Sequence, residues 1–141
     1  MSDKKLLSEI IVATRKASRL KHKGDYTKSI NEYKKGLEML KDPIHESEYA
    51  LMFFAGIGEC YFLQRDYQNA LVYYLESIKS HGGLGDPMLH FRLGQIRFEL
   101  NDLSKAKDEL IRAYMGSGEI IFQGEDPKYF DLIGDLIKKN P

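Results

Sequence analysis

Apolar and polar residues recur along this chain at spacings of three and four, and one pattern returns three times. The stretches are KHKGDYTKSINEYKKGLEML, FLQRDYQNALVYYLESI and RFELNDLSKAKDELIRAY. Each holds a polar turn: Gly24-Asp25-Tyr26, Arg65-Asp66-Tyr67 and Asn101-Asp102-Leu103. Three residues past the Tyr or Leu comes a small residue, Ser29, Ala70 or Ala106. Four further comes a large one, Tyr33, Tyr74 or Leu110, and three beyond that another small one, Gly36, Ser77 or Ala113. Such separations put side chains on one face of an α-helix. Small residues there let a second helix approach closely, and the large one fills the space beside them. The turn aspartate is placed to cap the helix that follows.

Upstream of each turn runs a second amphipathic stretch. In the second and third copies, Ile57-Gly58 and Leu93-Gly94 hold equivalent places. A glycine inside a helix costs about 1 kcal/mol relative to alanine, so two equivalent ones indicate tight helix–helix contact. The pattern predicts an all-α chain with helices over 3–23, 26–41, 46–65, 67–80, 87–101 and 103–115. Pro43 and Pro87 mark where helices stop and start. Beyond them, Gly116 and Gly118 are expected to interrupt the sixth helix, and Glu119–Phe122 to form a short turn. Asp126-Pro127 then opens a helix over 127–139, with Tyr129, Phe130, Ile133 and Ile137 as its apolar stripe. Stacked repeats leave an apolar end, and a last helix of this kind covers it.

Composition adds constraints. The 141 residues are 43% hydrophobic and 30% charged, with 21 Lys+Arg against 21 Asp+Glu. A chain of this length forms one ordinary domain. Zero net charge gives no support to nucleic acid as a partner. The charge is uneven, however: Lys4, Lys5, Arg15, Lys16, Arg19, Lys21, Lys23, Lys28, Lys34 and Lys35 face only four acids within residues 1–36. Such a surplus is either a solvated helix face or a means of steering an acidic partner to the first hairpin. The apolar N-terminal stretch is broken by Ser8 and Glu9, so no signal peptide is expected. No run is long enough to span a bilayer, and a cytoplasmic location is the expectation.

Catalytic patterns are missing. Cys60 stands alone in an apolar stretch, which suits a core residue. His22, His45, His81 and His90 are scattered without zinc-ligand spacing. His81–Asp86 has glycines but no Lys-Ser/Thr of a phosphate loop, and no Gly-x-Ser-x-Gly elbow occurs. Neither enzyme nor cofactor is expected.

The three patterned units resemble the tetratricopeptide repeat family across roughly residues 10–115. The second unit carries the likeness best, through Gly58, Tyr61, Asp66-Tyr67, Ala70, Tyr74 and Ser77. The third follows with Leu93, Gly94, Asp102, Ala106 and Ala113. The first has Ala17 in place of the glycine, and the family tryptophan is replaced by Ala13, Phe54 and His90. The resemblance implies a single domain over 1–141. Its repeats would cover about 10–43, 49–82 and 87–116, stacked as helix-turn-helix hairpins in a right-handed superhelix, with a capping segment at 117–141. It also implies a concave groove that grips a partner protein or peptide. The groove places correspond to Thr14, Ser18, Lys21 and His22 in the first unit, and to Met52, Ala55, Glu59 and Phe62 in the second. In the third they are Met88, Phe91, Arg92, Gln95 and Phe98. The clamp with which some family members hold a chaperone's C-terminal carboxylate corresponds to Thr14, Ser18, Gly56, Met88 and Arg92. Only the arginine survives, so that activity is not expected.

A narrower resemblance lies in the tail, AYMGSGEIIFQGEDPKYFDLI. It is similar to the ending of small bacterial tetratricopeptide proteins found beside polymorphic or Rhs-type toxins. The likeness rests on Ala113-Tyr114-Met115, Gly118-Glu119, Ile121-Phe122 and Glu125–Tyr129. It implies either an immunity protein that blocks a toxin domain or a shared capping structure. The sequence thus leads to a binding module without catalysis, with a self-associating or assembly scaffold as the other reading.

Overall fold

The computed structural model describes residues 2–137. The described residues form seven α-helices: α1 (Asp3–His22), α2 (Tyr26–Glu38), α3 (Ala50–Leu63), α4 (Tyr67–Lys79), α5 (Pro87–Glu99), α6 (Leu103–Ser117) and α7 (Pro127–Ile137). There is no strand among the described residues. The chain divides into two compact units, Met1–Leu84 and Gly85–Pro141. The first holds the hairpins α1–α2 and α3–α4, and the second holds α5–α6 with the tail.

One turn chemistry closes all three hairpins. Asp25, Asp66 and Asp102 each accept the backbone N–H three residues on, at 3.4, 3.3 and 3.3 Å. Their own N–H groups reach back to the carbonyls of Leu20, Tyr61 and Arg97, each at 2.9 Å. This back-bond satisfies carbonyls that the ending helix leaves unpaired, and it needs a left-handed residue just before the aspartate. Gly24 supplies it at no steric cost (φ 81°), whereas Arg65 and Asn101 adopt φ 60° and 64°.

The small-and-large pattern sets the packing of the first unit. A Cβ added to Gly58 would stand 2.6 Å from the Tyr74 ring, so α3 and α4 meet at hydrogen-atom distance. The first hairpin, with Ala17 in place of glycine, uses another device: Ser29 Oγ donates to the Ala17 carbonyl at 2.7 Å. Its large residue, Tyr33, instead lies on Gly56 of α3, while Phe53 lies on Gly36 of α2. The two rings meet edge to face at 6.4 Å. Ile10, Ala17, Ile30, Tyr33, Phe53, Ile57 and Cys60 form the core around this contact. Helix α2 ends earlier and α3 begins later than the periodicity predicts, because Ile44–Glu46 winds into a separate 3₁₀ turn. His45 fastens that turn: its ring stacks on Phe54 and its Nε2 lies 2.7 Å from Glu76 Oε2 of α4.

In the second unit Asp86 caps α5 through the Met88 and Leu89 N–H groups, with Pro87 in the first turn. Gly94 receives Leu110, whose Cδ2 would lie 2.6 Å from an added Cβ. The sixth helix is not interrupted at Gly116, contrary to the sequence expectation. That glycine stays helical, and its missing side chain makes room for Pro87. Gly118, at φ 72°, ends the helix. A 3₁₀ turn over Gly118–Phe122 follows, as the sequence predicts, and then α7. Asp126 Oδ1 accepts the Lys128 N–H at 3.0 Å, which bears out the expected cap. Lys138 and Lys139, also expected in this helix, lie outside the described residues.

Two glycines in the second unit separate propensity from packing. Gly94→Ala gains helix propensity but drives a methyl into Leu110, and overpacking of this kind costs about 1–3 kcal/mol. Gly134, inside α7, has nothing within 4 Å of an added Cβ, and Gly134→Ala is expected to stabilise by up to about 1 kcal/mol. Urea unfolding of the two variants should move the midpoint in opposite directions.

Candidate functional site

In the first unit, the repeat places Thr14, Ser18 and Lys21 of α1 at positions equivalent to Ala55, Glu59 and Phe62 of α3. All six are half-buried, Met52 is 38% exposed, and His22 is exposed. The supports beneath them are already satisfied. Thr14 Oγ1 donates to the Ile10 carbonyl at 2.8 Å, and His22 Nδ1 lies 2.7 Å from the Ser18 carbonyl. Glu59 is held by the Tyr74 hydroxyl at 3.0 Å, from the same ring that fills the notch at Gly58. The hairpin contact therefore also orients the acidic member of the stripe. Phe62 packs edge-on against Tyr67 at 5.7 Å.

Two residues outside the expected set extend this stripe. Leu7 and Ile11 are exposed and precede Thr14 and Ser18 at steps of four, three and four. The signal for both is the continuing helical period, although Leu7 lies before the first repeat, which begins near residue 10. The result is a partly apolar surface with Lys4, Arg15, Lys21 and His22 on the same helix. Among the described residues, Lys4, Arg15 and Lys21 have no ion-pair partner within 4 Å.

The second unit corrects the expected set. Phe91 and Gln95 are 2% and 1% exposed and offer no surface to a partner. The chain's own tail covers them. The Phe91 ring meets Phe122 at 5.0 Å and Tyr129 at 6.5 Å. Gln95 Oε1 accepts from Arg92 Nη1 at 2.7 Å, and its Nε2 donates to Glu125 Oε2 at 3.4 Å. Phe98 packs against Tyr129 at 5.3 Å, with Lys128 Nζ 5.2 Å from its ring centre. Only Met88, 58% exposed, lies open, with Arg92 and Phe98 half-buried.

Glu99 completes the clasp. The Tyr129 hydroxyl donates to its Oε1 at 2.6 Å, and Lys128 Nζ lies 2.7 Å away. Burial alone would raise the Glu99 pKa. The bonds from Lys128 and Tyr129 outweigh it and hold the carboxyl below its ordinary range.

Three other titratable groups, Cys60, His90 and Glu109, are tied into the packing. Burial pushes the Cys60 thiol up, which disfavours the thiolate a nucleophile needs. His90 Nδ1 and Glu109 Oε2 lie 2.5 Å apart and join α5 to α6, with the imidazole almost wholly buried. Among the described residues no group of three or more His, Cys, Asp or Glu is placed to hold a metal ion. No helix among them is long and apolar enough to cross a membrane.

Two outcomes follow for the covered face. Phe91→Ala should appear as lost stability, about 3–5 kcal/mol by denaturant unfolding, because the ring is core. Glu99 has a depressed folded pKa, so its contribution is present above the unfolded value near 4.3 and is lost as pH falls through the folded one. Glu99→Gln should lower stability at pH 7 and flatten the loss of stability as pH falls below about 4.3, read as unfolding midpoint against pH.

No protein-family model matches the sequence, and no curated protein matches it. Solved structures do match the fold. The first TPR of Spaghetti (RPAP3), bound to the HSP90 peptide SRMEEVD, is similar with a TM-score of 0.66 at 21% identity, over 93% of this chain and 92% of that one. The type III secretion chaperone SycD of Yersinia enterocolitica, in complex with a peptide of the translocator YopD, gives 0.68 at 16% identity, over 99% and 98%. At such identities the likeness establishes the fold, and this chain has the all-α helical-hairpin architecture of tetratricopeptide repeats.

Proposed function

We propose that this chain is a member of the tetratricopeptide family that binds a partner protein or peptide without catalysis, and that the α1/α3 stripe of the first unit is the surface it uses. The observation that carries this reading is the contrast between equivalent positions. In α5 two of them, Phe91 and Gln95, are buried under the chain's own tail, whereas their equivalents Thr14, Ser18, Ala55 and Glu59 in α1 and α3 are only half-buried. A surface of Leu7, Ile11, Met52 and Phe62 suits an apolar anchor on the partner, since flexible Met and rigid Phe adapt to such groups. The basic surplus of α1 suits acidic residues flanking that anchor and would raise the rate of encounter. Both structural neighbours hold peptides, which supports the same use here.

The finer reading is a bacterial immunity protein whose partner is a toxin domain. Its support is the tail motif, from Ala113-Tyr114-Met115 to Glu125–Tyr129. Phe122 and Tyr129 of that motif are core residues here, so the tail's own contribution is to close the second unit and leave binding to the first. Blocking a toxin requires only that a functional surface be covered, and no chemistry of this chain enters.

The test is affinity capture from the source cell, identification by mass spectrometry, and titration of the captured protein. Thr14→Asp and Met52→Asp, both at accessible positions, should keep the helical circular dichroism. Each should weaken binding by roughly 30-fold, equivalent to about 2 kcal/mol. Unchanged affinity in both folded variants would place the partner elsewhere. A captured protein that is not a toxin would remove the immunity reading and leave the binding module intact.

A further inference from the structure

The first hairpin carries a second accessible surface. Thr14 and Ser18 point about 200° around α1 from Val12 and Lys16, two residues earlier in each case. On that other side, α1 and α2 enclose a shallow cleft of about 430 Å³. Val12 and Ala13 form the apolar centre of its α1 wall, and Val12 is 64% exposed. Glu9 stands three residues before Val12, and Lys16 three residues after Ala13. Both line the cleft, together with Glu32 and Lys35 of α2.

The charges of this face are self-complementary. Glu32 is shared by two lysines, with Lys16 and Lys35 both at 3.3 Å, so one positive charge there has no carboxylate of its own. Glu9, the other acid of the cleft, has no ion pair among the described residues. A two-fold axis passing between Val12 and Ala13 sets a second α1 antiparallel to the first. Glu9 of each copy then meets Lys16 of the other, and Val12 meets Ala13. One operation supplies the missing carboxylate twice and covers the apolar centre, as a two-fold interface requires of a single patch.

We propose that this α1–α2 face is a homodimer surface, occupied by a second copy of the chain in antiparallel register about Val12 and Ala13. The inference does not depend on the partner-binding stripe, which stays accessible on the other side of α1.

Sedimentation equilibrium of the full chain tests it, with circular dichroism to confirm folding. The native chain should show a concentration-dependent monomer–dimer equilibrium. Val12→Asp should abolish it. Glu9→Lys and Lys16→Glu should each weaken the dimer by at least about tenfold, since like charges then face each other at both contacts. An equimolar mixture of these two variants should dimerise again, because every reversed charge meets its opposite in the mixed pair. A native chain that stays monomeric up to ~1 mM, the weak end of specific association, would overturn the proposal. So would a dimer that survives Val12→Asp, or a mixture no more associated than its components.

Discussion

Close approach of two helices within a hairpin, made possible by a residue without a side chain, is the constraint on which the structure depends. Gly58 receives Tyr74 and Gly94 receives Leu110, each at a distance that a methyl group would forbid. The contact fixes how far apart the helices lie and which faces turn outward. It also orients a surface carboxylate, since the Tyr74 ring in the Gly58 notch carries the hydroxyl that holds Glu59. Where the notch is absent, at Ala17, a buried hydroxyl bonded to backbone does the joining, and the large residue moves to Gly56 on the next hairpin. The first two hairpins are thereby locked by crossed ring-on-glycine contacts, Tyr33 on Gly56 and Phe53 on Gly36.

That geometry leaves equivalent stripes on α1, α3 and α5, and the chain treats them differently. On α5 the stripe is aromatic, with Phe91 and Phe98, and the tail seals it with Phe122 and Tyr129. On α1 and α3 the equivalents of Phe91 and Gln95 are small or polar, namely Thr14, Ser18, Ala55 and Glu59, and all four are half-buried; Phe62, the equivalent of Phe98, packs against Tyr67 of its own unit. Large aromatic residues left in water would present a sizeable exposed apolar patch, which soluble monomers rarely carry. The second unit covers them with its own chain. The first exposes a milder mixture in which Leu7, Ile11 and Met52 are interrupted by Thr14, Ser18 and Glu59. Such a surface tolerates water, and under the proposed function its apolar members would anchor the partner.

Features that depend on neighbouring residues were legible in the sequence, and features that depend on distant ones were less so. The turn aspartates and the small-large-small spacing are local; the aspartates cap as read, and the large residue fills its own hairpin in the second and third copies but not in the first, where Tyr33 lies on Gly56. Helix ends differ by a few residues where a 3₁₀ turn at Ile44–Glu46 competes with the start of α3. Gly116 differs from the sequence expectation because a glycine that breaks a helix and one that admits a neighbouring ring have the same letter, and its neighbour, Pro87, is 29 residues away. The site was harder still. Phe91 and Gln95 have the right helical phase for a partner surface, and no periodicity reports that Phe122, Glu125 and Tyr129 return to cover them. That the tail caps was readable from its apolar stripe; which residues it covers was not.

The most direct measurement is methyl NMR of the chain labelled at its methionine methyl groups, titrated with its captured partner. Met52 is exposed on α3 of the first unit, and Met115 is exposed at the end of α6 in the second. The account predicts that the Met52 methyl resonance shifts on binding while that of Met115 stays in place. A shift confined to Met115, with Met52 unmoved at saturation, would contradict it.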